Sequence, residues 1–277
     1  MTGAEGALGQ AVLAALRKDP QYVVETAGRR SEKLHLDMKD APDFRRLLDQ
    51  ARPDLILHLA ATFSNEFDEA YAVNVEATRR LLEAAQDSSP RPRILLVGSA
   101  AEYGAVRPEE NPIREDHALN PVSIYGLSKT WQTQLAGLYA GRGVDVVVAR
   151  LFNLDAPGLS ERLFVGRVQK QIQEVLDGLR TELELGALTA ARDYVRADDA
   201  AKQLIAIAIH GQAGRAYHIA SGTPVTMREL LQSMLAASGL DHIGVRESSE
   251  LSNRIGYDVP VIYADTTRTQ KLIQQRT

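Results

Sequence analysis

Short apolar runs alternate with helical periods through the first 150 residues of the chain. The amphipathic segments between these runs predict helices, and the longest of them cover residues 65–86 and 122–141. Short strands that alternate with helices are typical of parallel βαβ units with helices on both faces. The pattern therefore predicts an α/β fold with a doubly wound parallel sheet, built on YVVETA (22–27), DLILHLAA (54–61), RILLVGS (93–99) and VDVVVARLF (144–152).

The pattern becomes less regular after Phe152 and predicts a smaller C-terminal lobe. Thr226 and Glu229 are spaced as a capping box, which predicts that a helix begins there. Other helices are predicted at 161–178 and 196–211, and strands at 181–186 and 215–221.

Composition limits the kinds of partner. The 277 residues carry a formal net charge of -4 without a cluster of basic residues, so nothing favours nucleic acid or an anionic membrane. No apolar run approaches the roughly 20 residues of a membrane span. Because the chain contains no cysteine, disulfides and thiolate zinc sites are excluded, and we predict no metal site. We expect a cytoplasmic protein.

Three glycines precede the first predicted helix, at Gly3, Gly6 and Gly9. Backbone amides at a helix N-terminus attract phosphate, so this spacing predicts a pyrophosphate-binding turn. The alternative is a surface turn that only starts a helix. Such a phosphate turn normally follows a buried strand, whereas only Met1 and Thr2 precede this one. We therefore expect the sequence to be clipped there, and also at Thr277, inside a predicted helix.

A candidate catalytic group follows the predicted strand at 93–99. Tyr125 and Lys129 are four residues apart on a predicted helix and share one face. An ammonium beside a phenol lowers the pKa of the phenol, as proton transfer to a sugar oxygen or carbonyl requires. Ser99 ends a predicted buried strand, where doubly wound sheets bind ligands, and its hydroxyl can bond the same oxygen. Without Ser99, the tyrosine and lysine would simply lie on a solvated helix face.

Six motifs occur in the order and spacing of one enzyme family. The chain resembles the extended short-chain dehydrogenase/reductases, which are nucleotide-sugar epimerases, dehydratases and reductases with a Rossmann sheet. Within that family it most resembles the reductases acting on GDP-4-keto-6-deoxy-mannose. The motifs span nearly the whole chain and are TGAEGALG (2–9), HLAA (58–61), GSAAEYG (98–104), YGLSK (125–129), RLFN (150–153) and ARDYVRADDAA (191–201).

The resemblance implies a role for each matching residue. Tyr125 would donate a proton to the keto oxygen with Ser99 as its partner, and Lys129 would hold the nicotinamide ribose and lower the pKa of Tyr125. The implied cofactor-binding residues are Gly3, Gly6 and Gly9 at the pyrophosphate, Asp37 at the adenine edge, and Ala60 and Ala61 near the cofactor ribose. The implied dinucleotide-binding domain covers 1–153 with returning segments near 191–221, and the substrate-binding lobe covers 154–190 and 222–277.

Asn153, Arg192 and Arg254 match positions that bind the nucleotide-sugar in this family. A guanidinium suits this task because its fork bonds phosphate oxygens bidentately. From the residues alone, Arg192 could instead form an ion pair with Asp193, and Arg254 could be a solvated loop arginine.

The chain also departs from its family. Sugar 4,6-dehydratases carry an acidic pair after the catalytic serine or threonine, and Ala100 and Ala101 occupy those positions here. Glu102 comes one residue late and points to the opposite face if the strand continues. These residues disfavour a dehydratase. The GDP-sugar reductases are expected to carry an acid at 101 and an unaltered segment at 254–260. This chain has Ala101 and an altered segment, RIGYDVP, so the nucleotide base stays open between guanine and uracil or thymine.

The choice of cofactor depends on the end of the predicted strand at 22–27. NAD enzymes usually place an acid there, whereas a 2′-phosphate prefers arginine. The sequence has no acid near 26–28 and continues with Arg29 and Arg30, which favours NADP. NAD stays possible because a shift of one or two residues would make Glu25 its determinant.

The sequence therefore predicts an NADP-dependent reductase of a 4-keto-6-deoxy nucleotide-sugar, with the proton from Tyr125. The alternatives are an NAD-dependent nucleotide-sugar 4-epimerase and a dinucleotide-binding protein without turnover. The resemblance also implies a homodimer, in which the helices at 65–86 and 122–141 of both subunits form a four-helix bundle.

Overall fold

The computed structural model describes residues 1–40, 43–248 and 259–275. A π-helical segment covers Tyr71–Glu76, and single 3₁₀ turns cover Ala100–Glu102 and Pro108–Glu110. Among the described helices, none is both long enough and apolar enough to pass through a bilayer. The helices are α1 (Ala7–Arg17), α2 (Phe44–Ala51), α3 (Phe67–Ala70), α4 (Ala77–Asp87), α5 (Ile124–Ala140), α6 (Phe164–Leu176), α7 (Ala197–His210), α8 (Met227–Ala237) and α9 (Thr267–Gln274). The strands are β1 (Leu55–His58), β2 (Arg93–Ser99), β3 (Val146–Leu151), β4 (Asn153–Asp155), β5 (Glu182–Leu185), β6 (Ala191–Arg196), β7 (Ala216–Ile219), β8 (Pro224–Thr226), β9 (Gly244–Glu247) and β10 (Val261–Ile262).

The main sheet contains four parallel strands in the order β1-β2-β3-β7. Helices α1 and α7 pack their apolar residues on one face, and α2, α4 and α5 pack on the other. The doubly wound parallel sheet predicted from the sequence is confirmed, and the predicted strand at 93–99 has the bounds of β2. The carboxyl end of β2 carries Ser99, so the sheet itself positions this candidate residue.

The predicted strand at 22–27 is not a regular strand, and that prediction is wrong. Within the described residues, 22–26 form no ladder, and Ala27 makes only an isolated parallel bridge to Thr2. Thr2 also bridges His58, so this one residue lies between two segments of the sheet. Because a parallel ladder needs successive paired residues, this isolated bridge does not make 22–27 a strand. Val23 is 94% exposed.

The other strands form two smaller sheets, which with α6 and α8 make up a second layer beside the main sheet. Strand β6 pairs in parallel with β4 and β10 and antiparallel with β8, while β5 pairs with β9. Helices α6 and α8 enclose a separate apolar cluster with β5. The predicted capping box is confirmed, because Thr226 Oγ accepts from Glu229 N at 3.1 Å and the Glu229 carboxylate accepts from Thr226 N at 2.8 Å.

Candidate active site

The glycine turn requires glycine at two of its three positions. Gly3 has a φ of +70°, and a Cβ there would lie 2.6 Å from the backbone nitrogen of Ala60. A Cβ on Gly9 would overlap the carbonyl oxygen of Gly3, whereas a Cβ on Gly6 would meet its nearest atom at 3.5 Å. The turn is therefore closed by backbone packed on backbone, directly beside the carboxyl end of β1.

This turn fits a dinucleotide pyrophosphate. Helix α1 begins at Ala7, and its N-cap residue Gly6 supplies no side chain to bond the first amides. Amides at an uncapped helix start are donors for an anion and need no cationic side chain. Ala60 and Ala61 follow β1, and Ala60 N donates to Thr2 Oγ at 3.3 Å. The predicted pyrophosphate and ribose positions therefore adjoin in the structure.

The adenosine side of the turn is exposed. The Thr2–Ala27 bridge makes Ala27 the residue of the second segment that lies beside the turn. Glu25 lies two residues earlier, and its carboxylate pairs with Lys33. Arg30 Nη1 lies 3.5 Å from Glu5 Oε2, and both side chains are exposed.

The other two predicted residues on this side are also placed. Arg29 is exposed next to Arg30. The Asp37 carboxylate accepts from Lys39 N at 3.0 Å. Both lie in the segment that follows Ala27.

Ser99 and Tyr125 are brought together as predicted. Ser99 is the last residue of β2 and Tyr125 is the second residue of α5, and the Ser99 side chain lies near enough to the phenol to act on its pKa. A Cβ on Gly126 would lie 2.5 Å from the carbonyl oxygen of Ala101, so α5 starts in direct contact with the turn after Ser99. Lys129, one helical turn further, is 2% exposed.

Burial dominates the electrostatics of this group. It raises the pKa of Tyr125 to about 12, although the hydrogen bond from Ser99 acts in the opposite direction. Burial also lowers the pKa of Lys129 to about 8. The Lys129 ammonium donates to the carbonyl oxygen of Val97 and to the side-chain oxygen of Gln132. The pKa of Tyr125 is therefore raised, where the sequence predicts a pKa lowered by Lys129.

Sequence reasoning missed a group of hydrogen-bonded buried polar side chains near Lys129, formed by Asn74, Thr78, Ser128 and Gln132. Asn74 Nδ2 donates to Ser128 Oγ at 2.9 Å, and Gln132 Nε2 donates to Thr78 Oγ at 2.9 Å. Each helix thus contributes two polar residues four positions apart on its buried face. That matched spacing was the available signal, because buried polar groups require partners.

Glu102 does not lie on the opposite face of a continuing strand. The strand ends at Ser99 and a 3₁₀ turn begins, which directs the Glu102 side chain into the interior. Its carboxylate forms a buried ion pair with Arg150, whose Nε lies 2.9 Å away. Ala100 and Ala101 have no ionisable side chain. The turn after Ser99 therefore presents no free acid.

The predicted substrate residues lie on neighbouring strands. Asn153 on β4 donates to the carbonyl oxygen of Asp193 at 3.0 Å, and Arg192 on β6 is 7% exposed. The Asp193 carboxylate accepts from the backbone nitrogens of Ser221, Gly222 and Ala264, and so ties β6 to two loops. Arg254 lies outside the described residues.

Two buried histidines support the surrounding structure. Burial lowers the pKa of His58 to about 3 and that of His218 to about 4. His58 Nδ1 lies 3.0 Å from Thr2 Oγ, and His218 Nε2 lies 2.5 Å from the Tyr103 hydroxyl. Both rings are therefore neutral at pH 7.

Comparison with known proteins places this arrangement among related chains. A family model described as NAD dependent epimerase/dehydratase family matches residues 1–220. The chain is 30% identical to GDP-6-deoxy-D-mannose reductase from Pseudomonas aeruginosa over 65% of its length and 62% of the relative's. It is 31% identical to dTDP-glucose 4,6-dehydratase from Streptomyces griseus, over 94% of this chain and 74% of the relative.

A solved structure shares the fold. RMD from Pseudomonas aeruginosa, complexed with NADPH, superposes with a TM-score of 0.83 at 23% identity, covering 98% of this chain and 89% of that one. The chain aligns with less than two thirds of the length of the GDP-6-deoxy-D-mannose reductase.

Proposed function

Because this chain belongs to the NAD dependent epimerase/dehydratase family, we propose that it is an NADPH-dependent reductase of a 4-keto-6-deoxy nucleotide-sugar. The observation that carries this proposal is the placement of Ser99 at the end of β2 beside Tyr125 and Lys129 on α5, without a free acid in the turn after Ser99. The relative named GDP-6-deoxy-D-mannose reductase supports the same reaction class.

The residues divide the reaction between them. Bound nicotinamide supplies the hydride that adds to the carbonyl carbon. Tyr125 donates its hydroxyl proton to the carbonyl oxygen as the C=O π bond breaks, and Ser99 donates a hydrogen bond to that oxygen. Lys129 lies one helical turn away, and its ammonium would hold the nicotinamide ribose. With a pKa of about 8, Lys129 carries this charge at neutral pH.

The glycine turn and the exposed arginines are the proposed cofactor site. Gly3, Gly6 and Gly9 with the start of α1 would hold the pyrophosphate. Arg29 and Arg30 would meet a 2′-phosphate, because Glu25 is paired with Lys33 and lies two residues before Ala27. Asp37 would meet the adenine edge, and Ala60 and Ala61 would lie near the ribose.

The second layer is the proposed sugar-binding part. Asn153, Arg192 and Arg254 would bind the nucleotide-sugar, and their strands or segments belong to or adjoin the lobe at 154–190 and 222–277. The dinucleotide would bind the part at 1–153 with returning segments near 191–221. In the structure, α7 and β7 return to the main sheet and β6 joins the second layer.

A substrate panel tests the proposal. The protein is incubated with NADPH or NADH and with 4-keto-6-deoxy sugars on GDP, dTDP and UDP, and cofactor oxidation is followed, with Tyr125→Phe as control. Oxidation that requires Tyr125 and one of these sugars is expected. If no sugar is reduced, the proposed function is wrong. Interconversion of sugars without net cofactor consumption would indicate the 4-epimerase. NADPH binding without any turnover would indicate a dinucleotide-binding protein.

We also propose a homodimer through the helices at 65–86 and 122–141. Phe67 and Tyr71 are 49% and 43% exposed, and both rings pack edge-on against Trp131 of α5. Leu138, two turns further along α5, is 52% exposed. Exposed apolar side chains grouped on neighbouring helices are typical of an interaction surface. Sedimentation should give a dimer that Leu138→Arg dissociates; a monomer at micromolar concentration in the unmodified protein would contradict the dimer.

A further inference from the structure

One buried carboxylate behind the reacting hydroxyls has no part in the reaction described above. Glu102 is fully buried, and its Oε1 accepts a hydrogen bond from the backbone N–H of Ser99 at 2.8 Å. Its Oε2 accepts from Thr133 Oγ at 2.8 Å and from Arg150 Nε at 2.9 Å. These partners belong to β2, α5 and β3, so a single side chain joins the three elements around Ser99.

The surrounding backbone leaves room for this carboxylate. A Cβ on Gly98 would lie 2.5 Å from Glu102 Oε1 and 3.0 Å from Val148 Cγ1. On the other side of the turn, Gly126 packs against the carbonyl oxygen of Ala101. The turn is thus held between the Glu102 carboxylate and the start of α5, with Gly98 and Gly126 at the two close contacts.

We propose that Glu102 is a positioning residue that holds the backbone of Ser99 and directs its hydroxyl to Tyr125. A hydrogen bond to an ionised acceptor is roughly twice as strong as a neutral one, and Arg150 offsets the cost of burying the acceptor. The serine hydroxyl therefore keeps one direction. The effect on turnover rests on the proposed function, whereas the effect on the Ser99 backbone does not.

Two variants disturb this contact from different sides. Glu102→Gln keeps the shape of the side chain but removes its charge and the ion pair with Arg150. Gly98→Ala keeps every charge but places a methyl group where the carboxylate lies. The matched control is Leu204→Ala, which opens a cavity in α7 on the opposite face of the sheet and leaves the turn untouched.

The first readout needs no substrate. Amide hydrogen exchange is measured by mass spectrometry on peptides that cover 93–103, with melting temperature as a check on folding. The Ser99 amide should exchange at least about tenfold faster in both test variants, because its bond is weakened or displaced. In Leu204→Ala, a comparable loss of melting temperature should speed exchange along β2 without singling out the Ser99 amide, because Leu204 packs in the same cluster as Leu95.

The second readout is turnover. We expect kcat to fall by about 10²-fold in Gly98→Ala and about tenfold in Glu102→Gln, while KM for the cofactor changes less than about twofold, since misplacement of a reacting group by 1 Å costs about that much. Leu204→Ala should keep its kcat.

The outcomes separate the two proposals. Unchanged exchange at Ser99 in a folded test variant overturns the positioning role, as does a full kcat in both variants. If Glu102→Gln does not fold, Gly98→Ala alone decides, because it leaves the buried ion pair present. If the unmodified protein reduces no keto-sugar, the proposed function fails, and the exchange measurement still tests Glu102.

Discussion

The two ends of the candidate site are held in different ways. Around Ser99 and Tyr125, the supporting side chains are buried and hydrogen-bonded to elements of the main sheet, as Glu102 and Lys129 show. At the adenosine end, the Arg30 side chain is 83% exposed in its pair with Glu5. Exposed ion pairs contribute little to stability, whereas satisfied buried networks hold one geometry.

In the proposed function, the buried residues would carry out the reaction and the exposed residues would select the cofactor. At the proposed reaction end, three elements meet through the buried contacts of Glu102. The adenosine end has side chains that a ligand can rearrange at small cost. We therefore expect substitutions at the reaction end to change rates strongly, and substitutions at the adenosine end to change affinity moderately.

The largest effect is expected at the phenol. Tyr125→Phe removes the proton donor and keeps the ring, so kcat/KM for the keto-sugar should fall by about 10²–10⁴-fold. NADPH affinity, measured by calorimetry, should stay unchanged because the hydroxyl makes no contact with the glycine turn. A variant that retains full activity would show that another group protonates the oxygen.

Acid is expected to weaken both ends together. His58 and His218 have folded-state pKa values of about 3 and 4, below the ordinary 6.5. Because the unfolded chain binds more protons below pH 6.5, the free energy of unfolding should fall as the pH drops from 6.5 to 5, by up to about 2 kcal/mol per histidine. Urea titrations at pH 5, 6.5 and 8 measure this. Equal stability at pH 5 and 6.5 would mean that the rings are not buried as neutral groups.

The glycine turn offers a paired test at the cofactor end. Gly9→Ala should weaken dinucleotide binding by about tenfold or more, because overpacking against the carbonyl oxygen of Gly3 costs about 1–3 kcal/mol. Gly137→Ala, in α5 and outside the turn, meets nothing within 4 Å and serves as the matched control. Equal dissociation constants for the two variants would remove the close approach at Gly9 as the reason for glycine there.

The smallest effect is expected at the exposed arginine. Arg30→Ala should raise the dissociation constant of NADPH by about three- to tenfold and leave that of NADH unchanged, because only NADPH carries the 2′-phosphate. Lys33→Ala, nearby and paired with Glu25, is the control and should affect both cofactors alike. Equal losses for NADPH and NADH in Arg30→Ala would argue against a 2′-phosphate contact.

Local patterns predicted the reaction end well. The apolar run at 93–99 gave the bounds of β2, and the four-residue spacing of Tyr125 and Lys129 placed both at the start of α5. These features depend on short stretches of chain. Strand periodicity and helix spacing are therefore sufficient to locate them.

Contacts between distant residues were beyond such patterns. Glu102 turns inward because it meets Arg150, 48 positions away in a different strand. The segment at 22–27 has strand composition, but its contact with the sheet is only the isolated bridge from Ala27 to Thr2. The raised pKa of Tyr125 likewise depends on how much protein surrounds the phenol.

The space beside Gly98 couples two positions in the course of sequence divergence. A side chain at 98 would take the volume that the Glu102 carboxylate occupies, so a larger residue at 98 favours a change at 102, whereas residue 102 can change while Gly98 stays. Related chains with serine or alanine at 98 should then carry a small apolar residue at 102. They should anchor the strand arginine at 150 through an acid supplied from another element.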